Sequence, residues 1–351
     1  MRSFEPVKVA VVGCGAITRA AHLPAVVRSS KFHLGVLVDR SREVAEHLAH
    51  AYGLQCEISV DLAPVLDRVE AVIIATPNHT HCSLAELALR QHKPVFIEKP
   101  ITTTHRDAVK LSDLAQQADT FIAVGYVKRQ YPSVRLLKNL LGRDYLGNIR
   151  SFRYEFGTAG GWSPISGYSI DRERAGGGVL MTAGSHFIDA MLYWFGEPSS
   201  IRYEDDSYGG VEANCRAQLM FPGPKGGFHG EILLSKTATL RNCFILETET
   251  YRLLLREAQS ESLTLYPREQ PDLKLEISTR EAAPATDSLH YFQRQLEEFA
   301  RRVRDPEATV TVDGRSAATS VRLIERMYQQ RLQMPEPWLV YRTLSTTDVS
   351  A

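Results

Sequence analysis

The strongest constraint on this chain is the alternation of its first 124 residues. Short apolar runs rich in Val and Ile (VKVAVVG, FHLGVLVD, AVIIAT, PVFIEK and TFIAVGY) are separated by stretches such as SREVAEHLAHAYG and HCSLAELALRQH. In those stretches the apolar residues recur at three- and four-residue intervals, the spacing of a helix face. A near-continuous apolar strand needs cover on both faces, so the pattern predicts an α/β fold with a parallel sheet and helices on either side. After about residue 125 a helical SVRLLKNLLG leads into NIRSFRYEFG, CRAQLMF, GEILLS, CFILETET and YRLLLREA, the texture of a largely antiparallel sheet. Two helical stretches follow, SLHYFQRQLEEFARRV and GRSAATSVRLIERMYQQRL. The expected division is residues 1–124 and residues 125–351.

Charge and cysteine usage narrow the function classes. Lys plus Arg and Asp plus Glu both total 41, so the formal charge is zero and a nucleic-acid partner is not expected. The five cysteines (Cys14, Cys56, Cys82, Cys215 and Cys243) are odd in number and never spaced as CxxC. Neither a disulfide framework nor a zinc site is expected, and a reducing cytoplasm fits best. No apolar run approaches a membrane span, and MRSFEPVKVAVVG holds no signal-peptide apolar core before its first strand. A membrane partner is therefore not expected either.

The segment VAVVGCGAITRAAHLPAV places Gly13 and Gly15 between the first strand and the following helix. A dinucleotide site needs the first glycine for a tight turn and the second so that backbone can approach a pyrophosphate, which then meets the helix N–H groups. Gly13, Cys14, Gly15, Ala16 and Ile17 are the predicted phosphate turn. The third fingerprint position, normally Gly or Ala, is Thr18, so the match is incomplete. The second strand ends on Asp39, where an acid would bind the adenine ribose hydroxyls and repel a 2′-phosphate. That favours NAD, while Arg40 and Arg42 leave NADP open.

Two further strand ends carry polar groups where ligands bind in open α/β sheets. AVIIATPNHTHCSL ends in Thr76-Pro77-Asn78 with His79 and His81 behind, and PVFIEKPIT ends in Glu98-Lys99-Pro100. Charged residues at the end of a buried strand are costly unless something uses them.

The order GxG, Asp39, ATPNHTH, EKP resembles the Gfo/Idh/MocA family (glucose–fructose oxidoreductase, inositol dehydrogenase and relatives). The resemblance continues through GYVKRQYPSVRLLKNLLGRDYLGNI and AGGGVLMTAGSHFIDAMLYWFG to the last helix. It implies a Rossmann NAD-binding domain followed by a substrate-binding and oligomerisation domain with a large open sheet, assembled as a homodimer or homotetramer. It also implies that Lys99 lies beside the nicotinamide, hydrogen-bonds the substrate hydroxyl and handles its proton. Glu98 then orients the lysine or contacts the cofactor ribose, and Pro100 is a candidate for a cis peptide. Thr76, Pro77, Asn78 and His81 read as cofactor-pocket residues rather than metal ligands, since no matching cluster is present.

In the family pattern D-x-G-x-H, His186 keeps its place but the aspartate position is Thr182. Threonine supplies no charge, so His186 is expected to orient the substrate more than to act as base. Asp189, one turn along the same predicted helix, is either the alternative acid or a helix-capping or buried-pair residue. Further candidate substrate contacts are Lys128, Arg129, Tyr154, Trp162 and Tyr291. The acids of YSIDRER and IRYEDDSYGG read as solvated loops or as recognition of an amino sugar. The implied activity is hydride transfer between nicotinamide and a secondary hydroxyl or ketone of a sugar, amino sugar or cyclitol. The alternatives are a keto-sugar reductase or sugar 3-dehydrogenase of aminoglycoside-type secondary metabolism, and a catalytically silent dinucleotide-binding sensor.

Overall fold

The structure is a computed structural model that describes residues 5–160, 167–223, 226–257, 260–279 and 289–334. It divides into two compact units, Met1–Gln130 with Ala285–Val321, and Tyr131–Pro284 with Arg322–Ala351.

Among the described residues, the first unit holds β1 (Val7–Val12), β2 (Phe32–Val38), β3 (Glu57–Ser59), β4 (Ala71–Ile74), β5 (Val95–Ile97) and β6 (Ile122–Val124). They form one sheet in the order β3-β2-β1-β4-β5-β6, and every neighbouring pair is parallel. The strand order reverses between β1 and β4, which is where doubly wound sheets open a crevice at the carboxyl ends of their strands. Helices α1 (Leu23–Arg28), α2 (Arg42–Ala51), α3 (His81–Arg90) and α4 (His105–Gln117) cover the faces.

Period-two alternation along the strands feeds two separate cores. Ala10, Val12, Val72, Ile74, Val95 and Ile97 join Ala85, Leu89 and Leu111 on one face. Val9, Val11, Leu37, Ile73 and Phe96 join Leu23 and Val26 on the other. Ser41 and Thr104 start α2 and α4 by accepting the N–H groups of Val44 and Asp107 on their hydroxyls.

The second unit carries α5 (Pro132–Gly142), β7 (Ile149–Gly157), the short α6 (Arg172–Ala175) and α7 (Ser185–Phe195). These are followed by β8 (Ser200–Asp205), β9 (Asn214–Phe221), β10 (Phe228–Ser235), β11 (Cys243–Thr248) and β12 (Tyr251–Arg256). The sheet is completed by β13 (Ser262–Pro267), β14 (Leu275–Ser278) and β15 (Arg331–Gln333). The order is β14-β13-β12-β11-β7-β10-β9-β8-β15, antiparallel except at β7–β10 and β8–β15.

One face of this sheet is aromatic and buried. Phe152, Tyr154, Phe221, Phe228 and Phe244 meet Phe187, Trp194 and Phe195 of α7. The other face is an ion-pair lattice in which Arg153 and Arg241 hold Glu155, and Arg216 holds Glu231. A cavity of about 740 Å³ opens on that polar face, lined among others by Arg153, Gln218, His229 and Arg241. It contains neither Thr182 nor His186.

The last two helices, α8 (Leu289–Arg304) and α9 (Gly314–Gln329), depart from the expected division at residue 124. Residues 125–130, α8 and the first half of α9 go with the parallel sheet. The reason is apolar complementarity. Leu289, Leu296, Phe299 and Ala300 of α8 pack with Phe96 and Val9, and the Phe299 ring lies 5.9 Å from that of Phe96. The chain before α9 also extends the edge of the sheet, with the Val124 N–H bonded to the carbonyl of Val312 at 2.9 Å.

Candidate active site

At the end of β1, Gly13 has φ +92°, and a Cβ there would lie 2.6 Å from the carbonyl oxygen of Ala75. Only glycine fits. Gly15 differs: nothing lies within 4 Å of where its Cβ would be, and it is exposed, as are Ala16 and Ile17. The first glycine therefore makes the turn, and the second leaves open space above the backbone, the cradle a pyrophosphate requires. Thr18 is fully buried and its hydroxyl donates to the carbonyl of Gly13 at 2.6 Å, which closes the turn from inside. The departure from the fingerprint at this position has become a brace.

Asp39 is tied to the same turn. Its Oδ2 accepts the Cys14 N–H at 2.8 Å and its Oδ1 the Ser41 N–H at 2.9 Å. Each oxygen keeps a second lone pair for a ribose hydroxyl. The Cys14 thiol is buried and pushed up to about 12, by burial first and then by the Asp39 and Cys56 charges. It is inert packing rather than a nucleophile. Arg40 is exposed, while Arg42 reaches Glu46 and the carbonyl of Ile58.

Beyond β5, Glu98 is buried with 7% of its surface exposed, and the Lys99–Pro100 peptide is cis. Glu98 Oε1 lies 2.7 Å from Nε2 of the fully buried His22, and Oε2 accepts the Lys99 N–H at 3.0 Å. Burial pushes the Glu98 carboxyl up, but the His22 bond and the charges of His22 and Lys99 outweigh it and hold the group below the usual carboxylate range. Glu98 thus faces inward and fixes the backbone that carries Lys99, whose own side chain is half-buried.

Next to it, His81 is fully buried at the start of α3. Its Nδ1 lies 2.9 Å from the carbonyl of Pro100 and its Nε2 2.8 Å from that of Thr76. The ring therefore bridges the two strand ends. Burial holds its pKa below the usual histidine range despite those carbonyls. Thr76 is further bound by the Thr80 hydroxyl at 2.7 Å, which also donates to the carbonyl of Pro77. Asn78 is buried beside them.

In the second unit, Thr182 and His186 lie on a continuous helical run, a π-helical turn Leu180–Gly184 leading into α7. Both are half-buried. The Thr182 N–H and hydroxyl both bond to the carbonyl of Gly178, at 3.0 and 2.8 Å. Asp189 is 1% exposed, among the buried residues of α7.

Several candidate contacts are interior. Tyr154 is 2% exposed, stacks on Phe187 with ring centroids 3.7 Å apart, and donates to Glu257 at 2.6 Å. It is a core residue and not a sugar platform. Arg129 and Tyr291 are also buried, and Lys128 is half-buried. Trp162 lies outside the described residues. The acids of the YEDDS segment are engaged internally. Glu204 pairs with Arg202, Asp205 accepts the Ser207 N–H, and Asp206 accepts the N–H groups of Ala213 and Asn214. Among the described residues no group of three or more His, Cys, Asp or Glu side chains is placed to hold a metal ion, and no helix is long and apolar enough to cross a membrane.

Two residues escape a reading of the sequence. His22 sits on the apolar face of RAAHLPAV, and its only signal is the need of a buried Glu98 for a partner. Glu212 lies in a polar stretch before β9 with no motif around it, yet it is 2% exposed.

Comparison with known proteins agrees with this geometry. Residues 7–126 match the model of an oxidoreductase family with an NAD-binding Rossmann fold, and residues 134–253 match a GFO/IDH/MocA C-terminal domain. Glucose-6-phosphate 3-dehydrogenase of Bacillus subtilis (strain 168) is 29% identical over 54% of this chain and 53% of its own. A dTDP-3,4-didehydro-2,6-dideoxy-alpha-D-glucose 3-reductase of Saccharopolyspora spinosa is 27% identical over 56% of this chain and 58% of its own. The chain thus spans little more than half the length of these two relatives. In fold, KijD10, a 3-ketoreductase from Actinomadura kijaniata solved with NADP and TDP-benzene, superposes with a TM-score of 0.80 at 19% identity, over 94% of this chain and 99% of that one. With a glycine turn, an acid after β2 and an EKP strand end on the parallel sheet, and a C-terminal domain of the matching type, this chain belongs to the Gfo/Idh/MocA family of oxidoreductases.

Proposed function

We propose that this protein is an NAD-dependent oxidoreductase acting on a secondary hydroxyl or ketone of a sugar or amino sugar, at the 3-position of the ring. The observation that carries the reading is the Lys99 strand end. An ammonium-bearing residue is fixed through its own N–H by a buried, ionised Glu98, beside a turn shaped for a pyrophosphate. The residues fit a dinucleotide: the open space over Gly15 takes the pyrophosphate and Asp39 takes the adenine ribose. Bound there, the nicotinamide supplies the hydride acceptor or donor. The Asp39 carboxylate repels a 2′-phosphate and favours NAD over NADP.

Lys99 handles the proton. In the reducing direction its ammonium donates to the forming alkoxide, and in the oxidising direction its neutral amine accepts the carbinol proton. Such proton transfer contributes roughly 10²–10⁴-fold to rate. His186 positions the carbinol, and Thr182, whose hydroxyl donates to the Gly178 carbonyl, stands where the family pattern has an aspartate. The 3-position rests on the names of two relatives, a 3-dehydrogenase and a 3-reductase. A homodimer or homotetramer is the proposed assembly, to be read by light scattering.

Thr182 also favours a second reading, a dinucleotide-binding sensor without turnover. One experiment separates the two. NAD and NADP are offered with glucose, glucose 6-phosphate, glucosamine, myo-inositol and an aminoglycoside pseudo-disaccharide, and reduced nicotinamide is read by absorbance. The enzyme reading expects turnover with one sugar group that Lys99→Met abolishes while NADH binding persists. NADH binding with no turnover on the whole panel would transfer the weight to the sensor.

A further inference from the structure

We infer that Glu212, together with Tyr328, is the positioning residue that sets the helical segment carrying Thr182 and His186. The inference rests on the reading above that His186 orients the substrate carbinol. A helix leaves its first N–H groups without intrahelical partners, and something must accept them. Here one residue from a distant part of the chain accepts three in a row. Glu212 Oε2 takes the Gly178 N–H at 2.8 Å and Oε1 the Leu180 N–H at 2.9 Å. The Glu212 backbone carbonyl takes the N–H of Val179 at 2.9 Å. The Tyr328 hydroxyl of α9 then donates to Glu212 Oε1 at 2.8 Å.

This latch accounts for two of the three consecutive glycines. A Cβ on Gly178 would lie 2.0 Å from the carbonyl oxygen of Glu212, and one on Gly177, at φ +152°, would lie 2.1 Å from the Tyr328 hydroxyl. The glycines are therefore the space into which the latch closes. From it the path to the site is short: Gly178 holds both the N–H and the hydroxyl of Thr182, and His186 follows one helical turn later.

A buried carboxylate is an expensive way to hold a loop. Burial pushes the Glu212 carboxyl up, although three donors and its own backbone act against that. An apolar side chain would fill the volume without that cost. A carboxylate earns its place where two N–H directions must be fixed at once, because small misplacements near reacting atoms cost turnover.

The test uses the full-length protein with three variants, Glu212→Gln, Tyr328→Phe and His186→Gln. Glu212→Gln keeps the shape but turns an NH₂ toward one of the two N–H groups, and Tyr328→Phe removes a single donor. The panel sugar that wild type turns over fastest serves as substrate. NADH affinity is read by fluorescence, and the imidazole signals by carbon–proton NMR of ¹³C-histidine-labelled protein, with His186 assigned from its variant.

The expected result for Glu212→Gln is a fall of about 10²-fold in kcat/KM for the sugar, the size of a misplaced-group effect. The KM for NAD and the NADH affinity stay within about twofold, the His186 signal moves, and the signals of His22 and His81 do not. Tyr328→Phe gives a smaller loss in the same sense. Retention of the sugar kcat/KM within twofold in Glu212→Gln, with the His186 signal unmoved, would overturn the proposal. A general loss that also weakens NADH binding would overturn it too, by showing a merely structural role. If wild type turns over no panel sugar, the enzyme reading is what fails, and the His186 signal alone decides the latch. If Glu212→Gln does not fold, Tyr328→Phe decides by the same readouts.

Discussion

His22 Nε2 and Glu98 Oε1 stand 2.7 Å apart, joining the helix that follows the glycine turn to the strand end that carries Lys99. The two parts of the proposed cofactor site are therefore locked to each other behind the surface a dinucleotide would touch. The pair is buried, and the second carboxylate oxygen accepts the Lys99 backbone N–H.

His22→Phe keeps a ring against Phe96 and Phe292, the neighbours it now meets edge-on, but leaves the Glu98 carboxylate without its partner. Removing one member of a buried pair costs about 3–5 kcal/mol, because the remaining charge is uncompensated. Urea unfolding should show a loss of that order for His22→Phe. The double variant His22→Phe with Glu98→Gln should recover part of it, since no charge is then stranded.

The same pair predicts a pH dependence. Glu98 titrates below its ordinary value of 4.5 in the folded protein, so its stabilisation is fully present above that value and is lost as pH falls through the folded pKa. Glu155, buried but held low by Arg241 and Arg153, acts in the same direction. Unfolding free energies at pH 7 and pH 4 should fall more steeply for wild type than for Glu98→Gln. Parallel losses in the two proteins would remove Glu98 from the account.

Gly13 and Gly15 should separate folding from binding. Gly13→Ala forces a Cβ against the Ala75 carbonyl at a positive φ and should cost roughly 1–3 kcal/mol, visible as a lower Tm. Gly15→Ala meets nothing within 4 Å and should leave Tm unchanged while weakening NADH binding, because its methyl occupies the space above the turn. Differential scanning fluorimetry and NADH titration measure both.

Asp39→Asn puts an NH₂ against either the Cys14 or the Ser41 N–H and removes the charge. NADH affinity should fall by about tenfold, the loss of one charge-assisted hydrogen bond of roughly 1.5 kcal/mol. NADPH affinity should fall less, so the preference between the two narrows. Fluorescence titrations with both cofactors test this.

Much of the first unit could be read from its sequence because the determinants are local. Val, Ile and Leu at strand spacing specify a buried parallel sheet, a glycine at the end of β1 specifies a turn no other residue fits, and Asp39 and Lys99 stand at strand ends. The order of apolar runs and polar ends sets these features, and the Ala75 carbonyl against Gly13 is added only when the sheet forms.

What the tertiary structure alone decided are the partners. Nothing in HYFQRQLEEFARRV says which sheet its apolar face will choose; Phe96 and Phe121 present the surface that Phe299 fills. Nothing near Glu212 announces that three N–H groups some thirty residues earlier will end on it. Tyr154 is open in the sequence to a binding role, although aromatics at such positions are more often core, and Phe187 stacked on it decides for the core. The physical reason is common to all three. Propensity and periodicity act over a few residues and fix what each segment is, whereas desolvation acts on whatever surfaces meet, and the chain brings those together only when it folds.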